Sequence, residues 1–223
     1  MALSLTVIII AITVVVSLIG FQKAKVIDDL IFYPPAVTHQ KQWYRFITCG
    51  FIHADLGHLA FNMLSLYLFG QTQSGIIGVE DSFIANFGDK GKGLYLLMYA
   101  TTLVVCLLPT YRKHKDDRYY RSLGASGAVS AVIFVGILIA PLNRIGMFMI
   151  PPVIPGFIFG PLYLIISGYL AKKGRGNINH SAHLWGALWG ILFYIACCLL
   201  FTGINPVGDF IQQVTLQFKE WFG

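Results

Sequence analysis

Two residues in this chain have the types that a hydrolytic mechanism needs, and both stand in apolar surroundings: Ser126, within Gly124-Ala125-Ser126-Gly127, and His183, within Ser181-Ala182-His183. A neutral imidazole beside a serine takes the hydroxyl proton during attack on a carbonyl and returns it to the leaving amine, as general base and then general acid. Neither apolar run holding these residues contains an Asp or Glu, so the pair is expected to work as a dyad, without the carboxylate of a Ser-His-Asp triad. A tetrahedral intermediate also needs donors for its oxyanion. His58 and Asn62 are four apart and share one face of a helix; with the Ser126 backbone N–H they are the expected donors. A helix starting at Ser126 adds free N–H groups and a positive dipole end. His53 is expected to line the cavity mouth and hold water. The plain alternatives are a packing hydroxyl at Ser126, a backbone-bonded imidazole at His183, and helix-bonding side chains at His58 and Asn62.

Those residues must be positioned by elements suited to lipid. The 223 residues are 56% hydrophobic and 12% charged, with a mean hydropathy of +0.69, a balance that cannot cover a soluble surface when roughly a quarter of residues in soluble domains are charged. A hydrocarbon core of about 30 Å takes about 20 apolar helical residues. Six charge-free runs approach that length: Leu3 to Phe21, Leu56 to about Ile77, Gly93 to Tyr111, Ser122 to Leu142, about Val153 to Ala171, and Ser181 to about Phe201. The first lacks a basic n-region and exceeds an h-region in length, so it reads as a helix and not as a cleaved signal. Gln22 to Asp55 mixes apolar residues with Asp28 and Asp29 and is expected to lie in the interface, with Trp43 and Tyr44 at headgroup depth. Residues 205–223 put Phe210, Val214, Phe218 and Trp221 on one stripe, an amphipathic tail beside a membrane domain spanning 1–204.

Six spans fix a common depth. The second, fourth and sixth cross in the same direction, so His53, His58 and Asn62, Ser126, and His183 fall in one layer. Polar groups at that depth face the bundle interior or a water-filled cavity. On the sixth run, His183, Gly186 and Gly190 form one stripe, and Gly186-x-x-x-Gly190 admits close approach of another helix. The fourth run, with Gly124, Ala125, Ser126, Gly127, Ala128, Ser130 and Ala131 at its start, is the expected partner.

The composition and spacings also exclude classes. The net charge of +6 comes from short loops between apolar runs, which favours lipid headgroups over nucleic acid. Cys106, Cys197 and Cys198 lie in apolar runs and behave as small hydrophobes, no zinc spacing is present, and His39, His114 and His180 show no metal pattern.

The motifs resemble those of the rhomboid family of intramembrane serine proteases. The residues that carry the resemblance are Tyr44-Arg45, His53 and His58 with Asn62-Met63, Gly124-Ala125-Ser126-Gly127, and Ala182-His183-x-x-Gly186-x-x-x-Gly190, in that order over essentially the whole chain. The resemblance implies an all-α, six-helix polytopic bundle that cleaves transmembrane segments of other proteins near the membrane surface, without cofactor or metal. It implies Ser126 as nucleophile, His183 as base, and His58, Asn62 and the Ser126 N–H as oxyanion hole. Gly124, Gly127, Gly186 and Gly190 then serve packing, Arg45 the fold of the first loop, and Glu80 a structural contact. Two departures stand out: Tyr44-Arg45 where many members have Trp-Arg, and Ser130 where some have a Tyr that stacks on the catalytic His. Support for His183 must then come from elsewhere. The family orientation places the catalytic face outside, yet the loops on that face hold twelve Lys and Arg (four in the first, five in the third, three in the fifth) against four on the other, the reverse of the positive-inside rule. The fifth loop, Lys172 to His180, is expected to act as a lid. Two other readings use the same residues: an inactive relative that binds transmembrane segments, and a small transporter with a polar pathway through His58, Asn62 and His183.

Overall fold

The computed structural model describes residues 3–73, 76–147, 150–173 and 178–223, and the described chain is mostly helical. Three stretches are long and apolar enough to cross a membrane by length and composition: Leu5–Gln22 (α1), the run Val79–His114, and His180–Phe201 (α11). Leu56–Gly70 (α5) and Ser126–Ile139 (α9) are shorter apolar helices. Between α1 and α5 lie the short helices Ala24–Leu30 (α2), Pro34–Gln40 (α3) and Arg45–Thr48 (α4). The run Val79–His114 is broken into Val79–Phe87 (α6), Gly91–Val105 (α7) and Leu108–His114 (α8). After α9 come an antiparallel hairpin, Arg144–Met147 (β1) and Ile150–Pro155 (β2), and then Gly156–Lys173 (α10); Pro206–Phe222 (α12) follows α11.

Helix starts follow their caps. Asp55 accepts from the His58 N–H at 2.7 Å to open α5, Asn179 accepts from the Ala182 N–H at 3.0 Å to open α11, and Asn205 accepts from the Gly208 N–H at 3.1 Å ahead of Pro206. Glu80 closes the start of α1. Its carboxylate accepts from the N–H groups of Leu5 and Thr6, each at 2.8 Å, and from the Ser4 hydroxyl at 2.6 Å. A carboxylate there satisfies free donors and meets the positive end of α1. Arg45 likewise ties the first loop together: its guanidinium donates to the carbonyls of Asp28 (2.8 Å) and Ile31 (2.7 Å) and to Gln42 Oε1 (2.6 Å).

The boundaries differ from hydropathy in four places, the fourth run being helical only over Ser126–Ile139. The second run stops being helical at Gly70, because the polar Gln71-Thr72-Gln73 that follows turns back on itself, with Gln73 paired to Ile76. The third run breaks before Pro109, which lacks an N–H and would clash with the carbonyl four residues earlier. The fifth begins at Gly156, because Val153 to Pro155, apolar enough to read as helix, pair with β1.

Helix α9 is central. It packs on α5, α7, α10, α11 and α12, and most of its residues are buried. At fourteen residues it is about 21 Å long by helix rise, shorter than a bilayer core. The chain reaches it in extended backbone that is itself satisfied: Phe32 and Ser122 exchange N–H and carbonyl bonds at 3.0 and 3.1 Å, and the Gly124 N–H donates to the Cys49 carbonyl at 2.9 Å. Non-helical backbone at membrane depth is tolerated where protein buries it in this way. Ile165, Leu192 and Leu200 point outward from the helices that surround α9, a surface stable against hydrocarbon and costly in water.

Candidate active site

The approach of α9 to α11 is set by glycine. A Cβ on Gly186 would lie 2.1 Å from the Gly127 carbonyl oxygen, and one on Gly190 would lie 2.7 Å from the Ala131 Cα. The two backbones are therefore in direct contact through small residues. Gly127 is equally confined, with a Cβ there 2.6 Å from Cys106 Sγ. One turn above this contact, His183 Nε2 lies 2.7 Å from Ser126 Oγ.

Proton positions follow from the partners. For Ser126 to donate its hydroxyl hydrogen to Nε2, the neutral His183 ring carries its proton on Nδ1. The Nδ1 atom lies 3.1 Å from the Tyr163 hydroxyl oxygen, which accepts that proton, and the two rings are near-parallel at 23° with centroids 6.5 Å apart. Tyr163 comes from α10 and was not singled out by sequence. It supplies both the ring stacking that Ser130 cannot and an acceptor where a triad would place a carboxylate. Ser130 instead donates back to the Ser126 carbonyl at 2.8 Å. Replacing Tyr163 by phenylalanine keeps the ring and removes the acceptor, worth about 1 kcal/mol for a neutral hydrogen bond. The expected result is a kcat lowered about 5- to 10-fold with KM little changed, in steady-state cleavage of a reconstituted transmembrane substrate. An unchanged kcat would exclude tautomer control by Tyr163.

Gly124 turns the chain into α9 at φ +111°, a conformation that side chains rarely adopt, and a Cβ there would meet the His58 ring at 2.7 Å. His58 is therefore packed on the backbone just before Ser126, edge-on to His53 with centroids 4.9 Å apart. His53 is buried, with the Ser17 hydroxyl 3.0 Å from Nδ1 and the Ala125 N–H 3.4 Å from Nε2. Because Ser17 donates to the Phe51 carbonyl, His53 must donate through Nδ1 and accept through Nε2. It thereby braces the turn that presents Ser126, and it lines a second cavity of about 420 Å³ beside Gly20, Ala24 and Asp28.

Asn62 shares the main cavity with Ser126 and His183. That space, about 470 Å³, runs along α9 between α5 and α10, walled by Leu64, Leu68, Ile133 and Ile137 and ending at Asn143 and Arg144. One Asn62 amide hydrogen goes to the His58 carbonyl at 2.9 Å; the other makes no bond among the described residues. Ser126, His183, Asn62 and Tyr163 thus meet in one pocket, with His58 and His53 behind the Gly124 turn, and Arg45 and Glu80 in structural contacts away from it. The expected lid falls partly on residues 174–177, outside those described. No cluster of side chains able to hold a metal occurs among the described residues.

Comparison with known proteins gives one family. The rhomboid domain matches residues 40–200. RHOMBOID-like protein 12, mitochondrial, of Arabidopsis thaliana is 31% identical over 158 residues, 65% of this chain and 43% of its own. A Bacillus subtilis protein described as a candidate rhomboid protease, YdcA, is 28% identical over 158 residues, 70% of this chain and 68% of its own. Rhomboid-like protein 11, chloroplastic, of Arabidopsis thaliana is 30% identical over 164 residues, 67% of this chain and 51% of its own. The chain thus spans about half the length of the two plant relatives.

Proposed function

The chain belongs to the rhomboid family, and from that membership together with the 2.7 Å contact between Ser126 Oγ and His183 Nε2 we propose that it is an intramembrane serine endopeptidase acting on transmembrane segments of other proteins. In this reading residues 1–204 form six membrane crossings, built on α1, α5, the α6–α8 run, α9, α10 and α11, in a multi-pass protein of the cell membrane or, in a bacterium with two membranes, the inner one. Helix α12 packs across the ends of α9 and α11 and lies against the membrane surface.

Ser126 Oγ attacks the scissile carbonyl as His183 Nε2 takes its proton, and the Tyr163 oxygen holds the Nδ1–H of the imidazolium that forms. The oxyanion is met by the Ser126 N–H at the start of α9 and by the free Asn62 amide hydrogen, each well-placed donor contributing about 3 kcal/mol, while His58 packs on the Gly124 turn that presents that N–H. Collapse expels the amine, which takes the proton from His183, and leaves an acyl group on Ser126. Water activated by the same imidazole then releases it. The apolar walls of the α9 cavity suit a substrate segment taken from lipid, and that segment must be locally unwound because a helical carbonyl is held in its own ladder. Small or helix-breaking residues near the cleaved bond ease that opening.

The observation that carries this reading is the 2.7 Å contact between the hydroxyl of a serine at a helix start and an imidazole nitrogen of His183. An alkyl fluorophosphonate probe tests it on the full chain in membranes. The unmodified protein is expected to be labelled and Ser126→Ala not; an unlabelled wild type that still binds transmembrane segments would favour a non-proteolytic relative.

A further inference from the structure

We propose that Arg144 reads the charge of the substrate: at the end of the α9 cavity remote from Ser126, its guanidinium receives an acidic side chain of the bound transmembrane segment, and segments with Lys or Arg at that depth are turned away. The proposal rests on the protease reading above and adds to it which segments are taken.

The cavity runs the whole length of α9. Ser126, Val129, Ile133, Ile137 and Ala140 line it at intervals of three and four, from the first residue of the helix to the one just past its end. Leu64 and Leu68 of α5 form the facing wall and are still 49% and 50% exposed, so the cavity opens sideways toward lipid. Its two ends are polar and the length between them is mainly apolar. One end holds Ser126, His183 and Asn62; the other holds Asn143 and Arg144. A segment lying along such a slot meets apolar walls over most of its length and a cation at the far end.

Arg144 has no task inside the protein. It is exposed, and among the described residues its guanidinium makes no hydrogen bond and no Lys or Arg lies within ion-pair distance of a carboxylate. The usual work of a cation at this place is to satisfy the carbonyl end of a helix, and here other donors do it. The carbonyls of Gly136, Ile139, Ala140 and Pro141 accept from the Ala140 N–H, the Gln213 side chain, the Asn143 N–H and the Phe157 N–H. The backbone that carries Arg144 is nonetheless fixed. Arg144 pairs with Pro155 in the hairpin, the Asn143 carbonyl accepts from the Gly156 N–H at 2.9 Å, and Ile145 is buried in a cluster with Phe134, Ile137 and Ala187. A free guanidinium on a fixed backbone at the end of an apolar slot suits a carboxylate, because an acid arriving from lipid gains a partner there and a second cation meets only repulsion.

Helix α9 sets the distance at which the charge is read. Ala140 stands fourteen positions after Ser126, about 21 Å along a helix. A substrate segment beside it covers that length in about 14 residues if fully helical, and in about 8 to 10 if several residues next to the cleaved bond are extended.

A charge scan of the substrate tests the proposal. A single Asp or a single Lys is moved through positions about 6 to 16 from the cleaved bond, on the part that stays in the membrane, and kcat/KM is measured in proteoliposomes with the unmodified enzyme, Arg144→Gln and Arg144→Glu. With the unmodified enzyme the Asp substrate is expected to be preferred over the Lys substrate by about fivefold or more at positions within the window of about 8 to 14, and not outside it. Arg144→Gln should bring that ratio to about one and Arg144→Glu should invert it. Each ratio compares two substrates on one enzyme, so a variant that folds in lower yield still reports. A ratio near one throughout the scan with the unmodified enzyme, or a preference that persists in Arg144→Gln, overturns the proposal while leaving the protease reading intact. Absence of cleavage of every substrate, together with absence of fluorophosphonate labelling, removes the protease reading and this proposal with it.

Discussion

Cleavage of a reconstituted transmembrane substrate by His183→Ala is expected to fall by about 10⁴-fold or more, and the Ser126→Ala/His183→Ala double variant to be no slower than either single variant. The argument is chemical. A serine hydroxyl is a poor nucleophile at neutral pH until a base takes its proton, and the one nitrogen positioned to do so is 2.7 Å away on α11. Neither α9 nor α11 carries an Asp or Glu, and the other polar groups lining the cavity, Asn62, Ser65, Gln73, Ser130, Asn143, Arg144 and Tyr163, are not bases at that pH. Once either member is lost the other has nothing to act on, so the losses do not add. What remains comes from the oxyanion donors and from substrate binding. The measurement is kcat/KM in proteoliposomes, with fluorophosphonate inactivation as a second readout. A His183→Ala protein within tenfold of wild type would remove the base from the mechanism, as would single losses that add in the double variant.

Much of this site could be seen in the sequence because its parts obey helical spacing. His183, Gly186 and Gly190 fall on one stripe, His58 and Asn62 on one face, and the small residues after Gly124 mark the surface that the stripe must meet. The contact between Gly186 and the Gly127 carbonyl is the tertiary consequence of a pattern local to two segments. Tyr163 could not be found that way. It belongs to α10, where a tyrosine in an apolar helix reads as an ordinary interfacial or packing residue, and its meaning depends on how α10 leans on α11. The available signal was indirect: Ser130 stands where an aromatic support for the imidazole is otherwise expected, so some other helix had to supply it, and Phe159, Tyr163 and Ser167 share one face of α10.

The illegible parts of the fold have the same origin. Hydropathy counts apolar residues without regard to backbone state, so the β2 residues Val153 and Ile154 merge with α10, and Ile76 and Ile77 merge with α5 although the chain has already turned at Gln71. Glu80 is legible only as an anomaly, an acid beside an apolar run. That it closes the N-terminus of a helix more than seventy positions earlier is long-range information that no local pattern holds.

The second large effect is expected at Gly186, where chemistry is untouched and only packing changes. A Cβ at this position would sit 2.1 Å from the Gly127 carbonyl oxygen and 2.8 Å from its carbon, both backbone atoms that cannot rotate away. The neighbouring contact is equally close, a Cβ on Gly190 falling 2.7 Å from the Ala131 Cα, so α9 and α11 cannot slide to make room without losing that contact as well. Gly186→Val is therefore expected to cost about 3 kcal/mol or more, at the upper end for overpacking, and to separate Ser126 from His183 enough to abolish fluorophosphonate labelling even in the fraction that folds. Gly168→Ala is the control: it lies in α10 with open space around its Cα, and its stability should change by no more than about 0.5 kcal/mol with labelling intact. Thermal unfolding in detergent micelles measures the first quantity and gel-based labelling the second. A Gly186→Val protein that melts and labels like wild type would show that the two helices are not held by backbone contact, and with it would go the reason that a hydroxyl on one reaches an imidazole on the other.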